Sequence, residues 1–210
     1  MEFNFHDPFW VTSQILAFVA LILSFWAWQI KEKVKLMVMV GTFSMFLAAS
    51  ASFLENYTLG VLFGLAGVRN YVFSYLDWRV KKEKFVAKWL PYFFACVFIT
   101  ATVGSTVILV YIVQVPTYGA WLEWMICVTL IGLIIGNIQK GTDLMRVSFI
   151  GNRVFNIINH VHFNNVIAVI IAVTAISSNV IFYIRQFVGW YKKRNKEQIE
   201  VIEDKGAEDA

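Results

Sequence analysis

Long apolar runs interrupted by short polar breaks organise this chain. A helix that crosses a bilayer needs about 20 mostly apolar residues, and the pattern places such helices at Pro8–Ile30, Leu36–Leu54, Leu59–Leu76, Trp89–Val115, Gly119–Ile138, Val147–Phe163 and Val166–Gln186. The breaks between them, such as Lys31–Lys35, Glu55–Thr58 and Gln139–Arg146, are short and polar. The sixth run is the least hydrophobic and falls below a strict hydropathy threshold, yet its polar residues recur at helical spacing. From Trp190 onward, basic and acidic residues alternate, which reads as a solvated, disordered tail.

Composition sharpens this picture. Of the 210 residues, 59% are apolar and only 15% charged, well below the roughly 25% of an ordinary soluble domain. Seven spans and their linkers leave no length for a separate soluble domain. The net charge of +4 does not indicate nucleic acid, because the basic residues cluster in the polar breaks and report membrane orientation instead. Every lysine and arginine except Arg69 and Arg153 falls at or beyond the ends of spans one, three, five and seven. The positive-inside rule then places the N-terminus outside and the C-terminus in the cytoplasm. A six-span reading would put the basic tail outside, against that rule. The opening stretch Met1–Pro8 is acidic and lacks a basic n-region, so the first run is expected to remain as a transmembrane helix. Cys96 and Cys127 each lie within an apolar run and read as packing residues, with no redox framework.

The first and last three spans share a layout. In each, a helix closes on a glutamine (Gln29, Gln139), a basic linker and a second helix follow, and an asparagine (Asn56, Asn165) precedes the third. An offset of 109 residues superposes Asn56 on Asn165, Asn70 on Asn179 and Phe73 on Phe182, while the glutamines need one residue more. Both triplets run in the same sense, and the fourth span inverts the chain between them. The expected fold is an all-α membrane protein of seven transmembrane helices in a 3+1+3 parallel repeat. Residues 8–76 and 119–187 form the two triple-helix bundles, 89–115 the linking helix and 190–210 the tail. Parallel repeats of this kind are one transporter plan.

This arrangement resembles the superfamily of SWEET, PQ-loop and nicotinamide riboside transporters. The run Gly67-Val-Arg-Asn-Tyr-Val-Phe73, with Leu144-Met-Arg-Val147 and Asn156-Ile-Ile-Asn-His160, is similar to the YgjV-like family of bacterial inner-membrane proteins. The resemblance implies a multi-pass protein of the bacterial inner membrane, with Gln29 and Gln139 at hinge positions. It also implies that Asn70 and Asn179 are the counterparts of an asparagine pair that contacts substrate in SWEET proteins. The proline before each glutamine in SWEET proteins is absent here, where the dipeptides are Trp28-Gln29 and Ile138-Gln139.

Polar groups at membrane depth are costly and face a bundle interior or a wet cavity. In the sixth span Asn152, Asn156 and His160 share one helical face, flanked by Arg153 and Asn159. This stripe reads as cavity lining, against the alternative of hydrogen bonds between helices. Arg69 lies too deep for easy snorkelling, whereas Arg153 enters near its helix end and can snorkel. Either would favour an anionic solute, or a helix lock, if it faced the cavity; Asp77 is an equally good partner for Arg69. Gly60, Gly64 and Gly67 share a face suited to close helix packing. His160 and His162 point apart, so no metal site is expected, and no cofactor. Glu123 reads as interfacial beside Trp121 and Trp124. No constellation for catalysis is evident, so the chain is not expected to be an enzyme. The expected function is transport of a small polar solute by alternating access, facilitative or weakly coupled. The rival readings are a non-transporting receptor and a structural membrane subunit. The expected partners are the bilayer and a small polar solute, with homo-oligomers allowed and no nucleic acid.

Overall fold

The structure, a computed structural model, describes residues 6–30, 32–114, 119–138 and 143–208, and those residues form seven helices and no strand. Helix α1 spans Pro8–Gln29 and starts where the Asp7 carboxylate accepts from the Phe9 amide at 2.9 Å. Pro8 in the first turn has no amide to leave unpaired. Helix α2 spans Lys33–Phe53 and α3 Tyr57–Lys81. Helix α4 covers Leu90–Val107 and continues as a π-helical turn, Ile108–Ile112. Helices α5 (Ala120–Ile138), α6 (Asp143–His162) and α7 (Val166–Glu208) complete the bundle.

Among the described residues, six helices are long and apolar enough to cross a membrane, all except α6. Helix α6 is 20 residues long, but its polar stripe lowers its mean hydropathy. That stripe is turned inward: Asn152, Asn156, Asn159 and His160 are all buried. The outer surface carries exposed Phe9, Trp26, Tyr92, Ile112 and Val128, as a lipid-facing surface requires.

Two differences from the sequence reading concern helix ends. Helix α3 runs to Lys81 rather than Leu76, with Arg79 and Lys81 in its last turn, where cations complement the carbonyl end of the dipole. Helix α7 continues to Glu208 through the segment read as a disordered tail. Lys, Arg, Glu and Gln are good helix formers, and no proline follows Pro116.

Helix α2 packs on α1 and α3, α6 lies between α5 and α7, and α4 bridges α3 and α5. The two trios also meet directly through α1 and α7. Their shared core includes Phe43, Leu47, Leu62, Leu122, Ile126 and Ile171. Helices α2 and α3 approach closely at Gly41 and Gly67, where a Cβ on either would lie 3.2 Å from the other's carbonyl oxygen. Gly60 also sits tightly, against Ser52, but Gly64 faces open space, so only part of the small-residue face is used. Lys33 pairs with Asp77 at 2.8 Å and Lys81 with Glu32 at 2.7 Å. These pairs join the start of α2 to the end of α3, at what we term the linker end of the bundle. Asp77 is thus engaged by Lys33 and not by Arg69.

Candidate functional site

A cavity of about 530 Å³ lies between the two trios. It reaches from Ser44 and Phe63 in mid-bundle to Ile30, Leu36 and the exposed Arg185 at the linker end. Its polar lining comes from four helices and includes Ser44 on α2, Arg69 and Asn70 on α3, Asn152 and Arg153 on α6, and Ser178 and Asn179 on α7. Arg69 Nε and Nη2 both donate to Asn70 Oδ1, at 3.3 and 3.1 Å. Asn179 Nδ2 donates to the Ala175 carbonyl one turn back. Asn152 Nδ2 donates to Thr129 Oγ1 on α5, and Asn152 Oδ1 accepts from Asn156 Nδ2.

Arg153 does not snorkel. It is 3% exposed, and its guanidinium lies over the rings of Phe149, Phe43 and Phe63, at 4.7, 5.7 and 5.9 Å from their centroids. Such distances allow cation–π attraction. The rings hold the guanidinium plane without using its N–H groups, and Nε and Nη1 have no hydrogen-bond acceptor.

The opposite end of the bundle is closed by two hydrogen-bonded chains of buried polar side chains. In one, Asn56 Nδ2 donates to Asn159 Oδ1, and Asn159 Nδ2 donates to Glu123 Oε1, both at 2.9 Å. In the other, Asn165 Nδ2 donates to Ser50 Oγ, which shares a 2.9 Å bond with Ser13 Oγ. Each chain begins at an N-cap: Asn56 Oδ1 accepts from the Leu59 amide and Asn165 Oδ1 from the Ala168 amide. Each runs from one trio to the other, since Asn56 reaches α6 and Asn165 reaches α2. The preceding turns match as well. Glu55 and Asn164 both have positive φ, 58° and 54°. The Asn56 amide donates to the Ala51 carbonyl and the Asn165 amide to the His160 carbonyl.

The sequence-derived candidates therefore separate into three groups. Asn70, Asn179, Asn152, Arg69 and Arg153 line one cavity. Asn156, Asn159 and His160, expected on the same wet stripe, are packed in the interior instead: Asn156 and Asn159 are 0% exposed, and His160 stacks on Phe63. One helical face fixes direction but not depth, and the cavity reaches only the first half of α6. The side chain of Gln29, and Gln139 altogether, lie outside the described residues. Glu123 is not interfacial. It is fully buried, because Trp121 takes the exposed side of α5 and turns the carboxylate toward α6. Ser13 and Ser50 are missed by sequence reasoning. The repeat offset signals one of them, since it places Ser50 on Asn159. Cys127 is buried as expected, but Cys96 lies on the exposed surface of α4.

A match to the Imp-YgjV family, described as bacterial inner membrane proteins, spans residues 11–188. The chain belongs to this family. An Imp-YgjV protein resides in the bacterial inner membrane, and the six apolar helices accord with that location. No curated protein and no solved structure matches the chain.

Proposed function

We propose that this Imp-YgjV protein transports a small polar solute by alternating access, using two parallel three-helix halves, α1–α3 and α5–α7, joined by α4. The observation that carries this reading is the pairing of one cavity, open toward the linker end, with a far end sealed by two matching polar chains. The match extends residue by residue. At the offset of 109, Asn56 corresponds to Asn165 and Asn159 to Ser50; at 110, the offset of the glutamines, Glu123 corresponds to Ser13. Each chain therefore joins equivalent positions in the two halves, as a two-fold axis along the membrane normal would require. Seven spans with the basic linkers in the cytoplasm give the positive-inside arrangement, and the cavity then faces the cytoplasm. In this reading, breaking both chains opens the far end while the linker end closes.

An unbiased flux assay tests this without naming the solute in advance. Proteoliposomes loaded with a mixed extract of small metabolites are followed by mass spectrometry for protein-dependent efflux. At least one polar solute should leave faster than from empty liposomes. A disulfide between Ser50→Cys and Asn165→Cys, in a background lacking Cys96 and Cys127, should stop it. Binding of a solute without any flux would support a receptor and overturn the transport reading.

A further inference from the structure

We propose that the ligand of this cavity is a small organic anion, its carboxylate or phosphate group seated on Arg153 and Arg69 and its apolar part against Phe63 and Phe149. The inference rests on reading the cavity as the solute site.

Arginine keeps its charge at every physiological pH, and an ion removed from bulk water needs a counter-charge or a full set of hydrogen bonds. Arg69 and Arg153 are 5% and 3% exposed, and neither has a carboxylate partner among the described residues. The ion pairs found there all lie at the linker end and involve Glu32 and Asp77. The buried Glu123 is bonded to Asn159 at the far end and does not line the cavity. No cavity-lining residue is acidic, and Arg185 adds a third guanidinium nearer the mouth.

The hydrogen-bond inventory points the same way. Arg153 Nε and Nη1 and Asn70 Nδ2 are buried donors with no acceptor. A helix lock would require an acceptor for Arg153 on a neighbouring helix, but its contacts there are phenylalanine rings. These rings fix the orientation of the guanidinium, a form of preorganisation that favours recognition of a planar or tetrahedral oxyanion. A neutral solute would leave the two charges uncompensated, and a cation would be repelled. The volume of about 530 Å³ lies within the range of small-molecule sites.

The test uses the full-length protein purified in detergent. Succinate, citrate, inorganic phosphate and glycerol 3-phosphate are compared with succinamide, glycerol and putrescine by thermal shift and titration calorimetry. At least one of the organic anions should stabilise the protein saturably and more strongly than inorganic phosphate, and the neutral and cationic probes should not. Arg153→Gln should weaken that binding about 10- to 100-fold, the usual loss for a charge-assisted bond, and Arg153→Lys should recover part of it. If Arg153→Gln does not fold, Arg69→Gln takes its place with the same expected loss. The inference is overturned if no organic anion binds saturably, if the neutral probes bind as tightly, or if the folded arginine variant keeps full affinity. Saturable anion binding without flux would instead refute transport alone. Flux of a neutral solute that is indifferent to Arg153→Gln would refute only the anion site.

Discussion

Replacing Asn56 by alanine removes two bonds at the sealed end. The side chain caps α3 through the Leu59 amide at 3.2 Å and bonds Asn159 Oδ1 at 2.9 Å. Loss of an asparagine cap to alanine costs about 1 kcal/mol, and a polar bond between membrane helices contributes about 0.6 kcal/mol. Asn159 Oδ1 is then left buried without a donor, which adds about 1 kcal/mol or more. The expected cost is about 2–3 kcal/mol. Asn165→Ala loses the same kind of cap and its bond to Ser50, but the Ser50 hydroxyl keeps Ser13 as a partner. Its cost should be nearer 1.5 kcal/mol, roughly the cap and one bond. The two asparagines belong to separate hydrogen-bonded chains, so the double variant should be additive within about 0.5 kcal/mol. Asn56→Ala with Asn159→Ala should fall short of additivity by about 0.6–1.7 kcal/mol. Equilibrium unfolding by SDS in mixed micelles, followed by circular dichroism, measures the three single variants, Asn159→Ala included, and the two doubles. A cost below about 0.5 kcal/mol for Asn56→Ala, less than the cap alone, would refute the claim that this chain seals the far end.

Other substitutions probe the cavity and the linker end. In a background lacking Cys96 and Cys127, Asn152→Cys should react with small hydrophilic thiol reagents, whereas Asn156→Cys and His160→Cys should stay protected, because only Asn152 lines the cavity. Asn70→Ala and Asn179→Ala should each abolish solute binding, with strongly non-additive effects, and Asn70→Ala should also lower stability because it removes the acceptor of the buried Arg69 guanidinium; retained affinity in either folded variant would remove it from the site. The Glu32 carboxyl is held below its ordinary pKa first by Lys81 and then by Lys35. The stabilisation it provides is therefore present above the ordinary carboxylate pKa and lost as pH falls through the lowered value. The Tm difference between wild type and Glu32→Gln should accordingly be largest at neutral pH and close on acidification. Gly67→Ala should destabilise by about 1–3 kcal/mol through overpacking, since its methyl group would meet Met45 and the Gly41 carbonyl; a Tm equal to wild type would show that α2 and α3 can separate freely.

How much of this was legible in the sequence varied with the kind of residue. The helices were, because membrane burial makes apolar runs long and the breaks sharp. Helix α6 was legible through a different signal, the periodic asparagines, which mark an inward face whatever their mean hydropathy. Their fate along that face was not legible. Asn152 meets the cavity while Asn159, two turns on, meets Asn56 and Glu123, and periodicity carries no information on where a void begins. Glu123 was misread because its tryptophan neighbours suggested an interface, when the rotation of α5 depends on packing against α6. The cage around Arg153 draws phenylalanines from α2, α3 and α6, and their convergence is a tertiary fact that spacing within one helix cannot report. The alternating charges after Trp190 suggested solvated disorder, yet they are also good helix formers, and α7 continues through them.

The central claim is that one cavity opens in turn to the two sides of the membrane. Ser178 lines that cavity, so Ser178→Cys, as the sole cysteine, reports on its access. The measurement is the labelling rate with a membrane-impermeant maleimide in right-side-out and inside-out vesicles. The account predicts fast labelling from the cytoplasmic side and slower but finite labelling from the outside. The outside rate should vanish when Ser50→Cys and Asn165→Cys are added to the same chain and their disulfide formed before labelling. Labelling from one side only, with or without that disulfide, would contradict it.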